Sequence, residues 1–257
     1  MFGDEVKKVS ESAKAKISLL NNNIIGYFIS SMLAGIYVGI GIMLIFTIGG
    51  LLSSGGSPLT KIIMGVSFGI ALSLVIFAGA ELFTGNNFVM AIGMLGKTVS
   101  FFDTLKVWIV SFIGNLCGSI LIGYLFYSAG LASGPVGEFI AKATETKMHL
   151  AGNQLFVRGI LCNLLVCLAT WCSFKCKEES SKLIMIFWCL FAFITTGFEH
   201  SVANMTLMTI GLLSPFSASV SIYGYGYNLL FVTLGNMVGG IVFLAIPYYI
   251  ISRNKNK

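Results

Sequence analysis

The sequence predicts an all-α polytopic membrane protein in one domain: six transmembrane helices in two inverted three-helix repeats, the second and fifth helices broken. Three observations carry this. The chain of 257 residues is 56% hydrophobic and only 10% charged, with a mean hydropathy of +0.89, where a soluble domain carries about a quarter charged residues. Its apolar runs are long and continuous, which suits helices and not a β-barrel. Two motifs also recur in the same order: Gly79-x-Glu81-x-x-x-x-Asn86 with Gly197-x-Glu199-x-x-x-x-Asn204, then Gly114-Asn115-x-x-Gly118 with Gly235-Asn236-x-x-Gly239.

Taken in order, residues 4–20 place Val6, Val9, Ala13, Ile17 and Leu20 at helical spacing among charges. This predicts an amphipathic N-terminal helix (1–21), lying on the membrane surface or against a neighbouring subunit. The first repeat is expected over 22–137. Its first span falls near 24–52, where Gly35-x-x-x-Gly39 permits close helix approach. Between Lys61 and Lys97 lie 35 residues with one charge, Glu81. One straight helix of that length would run about 50 Å, against a hydrocarbon core of about 30 Å, and two crossings would need about 40 residues. A helix to about Ala80, an irregular Glu81–Asn86 segment and a second short helix fit better. The third span lies near 106–128 and is followed by a loop of mixed polarity.

The second repeat is expected over 138–252, with spans near 156–174, from 183 and near 229–251, and a cytoplasmic tail at 253–257. Glu199-His200 interrupts the fifth span, and a short helix runs on to about Leu213. The Gly224–Asn228 run reads as a loop. With the N-terminus inside, twelve of the sixteen lysines and arginines are cytoplasmic, and Lys61, Lys142, Lys147 and Arg158 lie opposite. The positive-inside rule therefore puts both termini in the cytoplasm.

Three spans per half is an odd number, so the halves have opposite orientation. Inverted repeats with broken helices in matching positions point to a permeation site at the midplane. Each second half-helix begins with unpaired N–H groups that carry partial positive charge. Two such ends favour a small anion or a polarised neutral molecule. Glu81, Glu199, Asn86 and Asn204 read as support for the broken backbone. His200 has no twin, because Leu82 holds its repeat position, and it reads as the residue facing the permeant.

The segments at 78–86 (AGAELFTGN), 158–171 (RGILCNLLVCLATW) and 197–205 (GFEHSVANM) resemble the signature segments of the formate/nitrite transporter family. Within it the chain is most similar to the hydrosulfide channel branch. The resemblance implies an aquaporin-like fold, a homopentamer with one pore per subunit, and small monovalent anions of weak acids as cargo: hydrosulfide first, with formate and nitrite. It implies residence in the bacterial cytoplasmic membrane. It assigns His200, Thr84, Lys147, Asn163 and Asn204 to the pore, and Phe68, Leu72, Leu82 and Phe193 to its apolar constrictions. Here Thr84 is followed by Gly85-Asn86 where some relatives carry hydroxyl residues, and Lys142 is a second candidate for the vestibule.

In the mechanism this suggests, Lys147 and the helix ends draw an anion inward, and apolar rings oppose the bare charge. His200 then donates a proton or a hydrogen bond, its reference pKa being near neutral. The alternatives are a proton-coupled secondary transporter of formate or nitrite and a neutral-solute channel, although paired Asn-Pro-Ala motifs do not occur. An enzyme is not expected, since Glu199-His200 lacks H-E-x-x-H spacing. The six cysteines lack zinc spacing and read as buried small hydrophobes. No cofactor, metal or nucleic-acid partner is expected. The partners are the anion, the lipid bilayer and further copies of the chain.

Overall fold

The computed structural model describes residues 1–253, so the end of the expected tail, 254–257, lies outside the described residues. These form ten helices in chain order: α1 (Gly3–Asn22), α2 (Ile24–Ser54), α3 (Thr60–Gly79), α4 (Phe83–Leu95), α5 (Phe101–Ser128), α6 (Gly134–His149), α7 (Gly152–Lys175), α8 (Glu179–Thr196), α9 (Ser201–Leu213) and α10 (Ile222–Ser252). Six of them (α2, α3, α5, α7, α8 and α10) are long and apolar enough to cross a membrane.

The bundle has an apolar core and also an apolar exterior, where a soluble protein would expose polar side chains. Large apolar side chains such as Ile25, Phe102, Ile113, Trp188, Tyr223 and Phe243 are exposed, while Thr84, Asn115, Asn163, Asn228 and Asn236 are fully buried. That is the arrangement expected where the surroundings are apolar and every buried polar group needs an internal partner.

Close backbone approach holds α2 to α5 and α7 to α10. A Cβ on Gly118 would strike the Met32 carbonyl, and one on Gly239 the Ile160 carbonyl, so both glycines of the G-N-x-x-G motifs are packing residues. Two spans contain one-turn π segments, Val75–Gly79 and Ile241–Ala245. The second lies just ahead of Pro247, whose missing N–H removes one rung of the helical ladder.

The structure departs from the sequence reading in four places. Residues 134–149, expected as a loop, form α6. Their buried positions Gly137, Ile140, Ala141, Thr144 and Met148 make a helical stripe. The Gly224–Asn228 run is helical and belongs to α10, where Gly224 lies against Met148. The breaks are shorter than expected: α4 resumes at Phe83, so Thr84 and Asn86 are in its first turn, and α9 resumes at Ser201. The predicted face of α1 is buried, but against its own chain, with Ala13 on Gly93 in α4 and Ser10 beside Gly96 just after it.

Phe2 fastens the start of α1. Its ring meets Trp171 and Tyr248 edge-on at 5.7 and 5.6 Å, and Lys175 Nζ sits 4.8 Å from its centre. At the opposite end of the bundle, α6 packs against α2 and α9, with Phe139 against Gly49 and Thr144 against Gly211. The two ends are called here the α1 end and the α6 end.

Candidate functional site

Each broken span is shaped by its own motif. Helices α3 and α8 run to Gly79 and to the residue before Gly197, and both glycines have φ 79°. This left-handed conformation ends a helix at little cost only for glycine. The following peptides are then tied to a neighbouring span, Glu81 N–H donating to the Ser30 carbonyl at 3.3 Å and Glu199 N–H to the Arg158 carbonyl at 3.2 Å.

Two asparagines staple the breaks. Asn115 Oδ1 accepts the Phe83 N–H at 2.9 Å, and its Nδ2 donates to the carbonyls of Ser31 at 2.7 Å and Glu81 at 2.9 Å. Asn236 Oδ1 accepts the Ser201 N–H at 2.9 Å, and its Nδ2 donates to the carbonyls of Gly159 at 2.8 Å and Glu199 at 3.0 Å. The sequence reading left the first N–H of each half-helix unpaired. The structure gives both to an asparagine, because a buried donor without a partner is costly.

The carboxylates are twinned as well. Lys16 Nζ lies 2.8 Å from both oxygens of Glu81, which also accepts from the Tyr27 hydroxyl at 2.9 Å and from Asn86 Nδ2 at 3.1 Å. Lys147 Nζ lies 2.7 Å from both oxygens of Glu199, which accepts from Asn204 Nδ2 at 2.7 Å. Asn228 closes that second cluster, accepting from Asn204 at 2.9 Å and donating to the Lys147 carbonyl at 3.0 Å. Lys16, Tyr27, Asn115, Asn228 and Asn236 were not singled out as site residues in the sequence. Asn115 and Asn236 stand in the repeated G-N-x-x-G motif, which was the available signal. Lys16 is 65 residues from Glu81 and gave none.

His200 stands at the second break and caps α9: its Nδ1 accepts the Ala203 N–H at 3.1 Å. With Nδ1 used as an acceptor, the ring is neutral and carries its proton on Nε2. That nitrogen is 3.0 Å from the Thr84 hydroxyl, so the two broken spans meet through His200 and Thr84. The imidazole stacks on Phe193 at 6.0 Å and 18°, and Phe193 meets Phe68 edge-on at 5.5 Å.

Three cavities follow one another past this point. At the α6 end, a cavity of about 180 Å³ is lined by Ile45, Phe46, Lys61, Met64 and Lys147, and also by Phe193, His200 and Asn204. A small void of about 10 Å³ comes next, lined by Phe68, Leu72, Leu82, Phe193 and His200. A third, of about 290 Å³, lies at the α1 end and is lined by Lys16, Leu72, Glu81, Leu82, Asn86 and Thr170. The first and second share Phe193 and His200, and the second and third share Leu72 and Leu82.

The structure therefore brings together His200, Thr84, Asn204, Lys147 and the four apolar residues Phe68, Leu72, Leu82 and Phe193. Asn163 stands one layer back, donating to the carbonyls of Thr84 at 3.2 Å and Asn236 at 2.6 Å. Cys167 also reaches the Thr84 carbonyl, at 3.4 Å. Of the two candidate lysines, Lys147 lines the cavity, and Lys142 lies with Glu138 and Glu145 on another face of α6.

Residues 4–250 match the sequence profile of the formate/nitrite transporter family. The chain is 42% identical to the nitrite transporter NirC of Salmonella typhimurium over 250 residues, 97% of this chain and 91% of that protein. Among solved structures it is similar to one described as an FNT family ion channel (TM-score 0.92, 38% identity, covering 97% of this chain and 99% of the other). It is also similar to a pentameric formate channel with formate bound (TM-score 0.74, 28% identity, covering 88% and 96%).

Proposed function

This chain belongs to the formate/nitrite transporter family, and on that premise we propose that it forms a passage across the membrane for small monovalent anions of weak acids. The observation that carries the reading is the file of three cavities narrowing at Phe68, Leu72, Leu82, Phe193 and His200. An apolar neck between two wider chambers opposes a bare ion, since moving a charge out of water is expensive. His200 and Thr84 are the hydrogen-bonding side chains at that neck. The anion of a weak acid takes its proton either from a transiently protonated His200, which returns to the neutral ring and is recharged from water, or from water itself while the Nε2–H of the neutral ring donates it a hydrogen bond, and it crosses the neck as the neutral species. Asn163 and Cys167 act from behind by fixing the Thr84 carbonyl.

The twinned glycines, carboxylates and asparagines support two inverted repeats around this neck, in an aquaporin-like arrangement. Helix α1 corresponds to α6, because Lys16 and Lys147 make equivalent ion pairs. The pentameric formate channel of similar fold supports a homopentamer here too. The lysine and arginine asymmetry supports a multi-pass protein of the bacterial cytoplasmic membrane with both termini, and hence the α1 end, in the cytoplasm. Nitrite is the cargo to test first, because the relative at 42% identity is a nitrite transporter. Formate and hydrosulfide are the arms beside it.

The test is anion flux in liposomes across pH for wild type and His200→Asn, which keeps a polar group but cannot titrate near neutrality. Nitrite flux is expected in the wild type, and His200→Asn is expected to flatten its pH dependence. An unaltered pH profile in the variant overturns proton donation by His200. Absence of flux for all three anions in the wild type overturns the reading as a whole.

A further inference from the structure

Resting on the anion reading above, we propose that Lys61 is the residue that collects the anion at the α6 end, and that Lys147 is not. Lys147 has both its charge and its direction committed. Its ammonium sits 2.7 Å from each oxygen of Glu199, itself only 2% exposed. A pair held so closely presents little net field to an ion arriving from solution.

Lys61 lines the same cavity and is exposed. Among the described residues it takes part in no ion pair, and the cavity lining contains no aspartate or glutamate. The remaining cation of a cavity wall, Lys16 at the other end, is held by Glu81. Among the described residues, Lys61 is thus the uncompensated charge of the file of cavities. The walls beside it are Ile42, Ile45, Phe46, Met64 and Phe139. A single charge at the mouth of a cleft with apolar walls has its field concentrated into that cleft, which raises the local concentration of counter-ions.

Local structure gives no competing account of the residue. Lys61 is in the first turn of α3, where the helix dipole disfavours a cation. Among the described residues it makes no ion pair that would stabilise the turn. Its position costs the helix and serves the cavity. The α1-end cavity has no such charge and is lined instead by Ser12, Ser30, Thr170 and Ser173. Capture is therefore one-sided.

The experiment measures nitrite entry from each face, in right-side-out spheroplasts and inside-out vesicles, for the wild type, Lys61→Gln, Lys61→Glu and Lys61→Arg. Lys61→Gln is expected to raise the half-saturating nitrite concentration about five-fold for entry from the α6 end, the order expected of one unit charge near contact in water. The saturated rate and entry from the α1 end stay unchanged, Lys61→Arg restores the wild-type value, and Lys61→Glu is affected more than Lys61→Gln. Wild-type half-saturation from the α6 end also rises with ionic strength, a reading that needs no variant. A Lys61→Glu protein with wild-type half-saturation at low salt, or a wild type indifferent to salt, overturns the proposal while leaving the weak-acid reading intact. A wild type that carries no nitrite, formate or hydrosulfide overturns that reading first.

Discussion

Asn115 and Asn236 each hold one N–H and two carbonyl groups that the broken helices leave without helical partners. Both side chains are fully buried, so no water replaces them when they are removed. A buried polar group left unsatisfied costs about 1–3 kcal/mol, and Asn236→Leu strands three. The expected loss is therefore about 3 kcal/mol or more, read as a drop in the unfolding midpoint in detergent. A variant as stable as the wild type would show that the break does not need its staple. Gly197 is a milder case. Its φ of 79° would put an alanine in the left-handed region at a cost of roughly 1–2 kcal/mol, whereas asparagine tolerates that region better. Gly197→Ala should lower the midpoint, and Gly197→Asn should recover part of the loss. These residues were legible because the motif repeats: each glycine and each asparagine has a counterpart doing the same backbone work. Lys16 and Tyr27 were not, because an ion pair across 65 residues leaves no local pattern.

Helix α1 shows what periodicity reveals and what it hides. The stripe of Val6, Val9, Ala13, Ile17 and Leu20 identifies a buried face, and all five are buried. It does not say against what. The answer depends on Gly93 in α4 and Gly96 at its C-terminal cap, whose missing side chains admit the helix. Helix α6 was missed for the opposite reason: Pro135 and scattered charges outweighed its buried stripe of Gly137, Ile140, Ala141, Thr144 and Met148. Pro135 lies in its first turn, where the absent N–H is harmless. The docking of α1 rests on two anchors, Phe2 at one end and the Lys16–Glu81 pair at the other. Breaking a largely buried pair leaves an uncompensated charge, at a cost of about 3–5 kcal/mol. Lys16→Met should therefore destabilise the protein, and Lys16→Met with Glu81→Gln should recover much of the loss. Phe2→Ala should leave the bundle folded but raise amide hydrogen exchange along α1. Equal protection in both proteins would mean that the aromatic contact holds nothing.

At the scale of the molecule, the neck residues Phe68, Leu72, Leu82, Phe193 and His200 are all buried within the bundle of a single chain. The neck, the capping histidine and both ion pairs are complete without a second copy. A homopentamer of such chains would hold five separate passages, and its assembly would serve the exposed apolar exterior rather than the chemistry. This separates two kinds of oligomer by experiment. In pentamers mixed from wild-type and His200→Asn chains, each passage should respond to its own histidine alone. The pH profile of nitrite flux should then be the average of the two parent profiles, weighted by the fraction of each chain, at every mixing ratio. A shared passage or a concerted transition would instead let a minority of variant chains dominate, because one altered subunit would change all five. Flux measured over a series of mixing ratios, with the composition of the pentamers checked by native mass spectrometry, decides between a straight line and a steeply bowed curve. The enclosure of the neck within a single chain predicts the straight line.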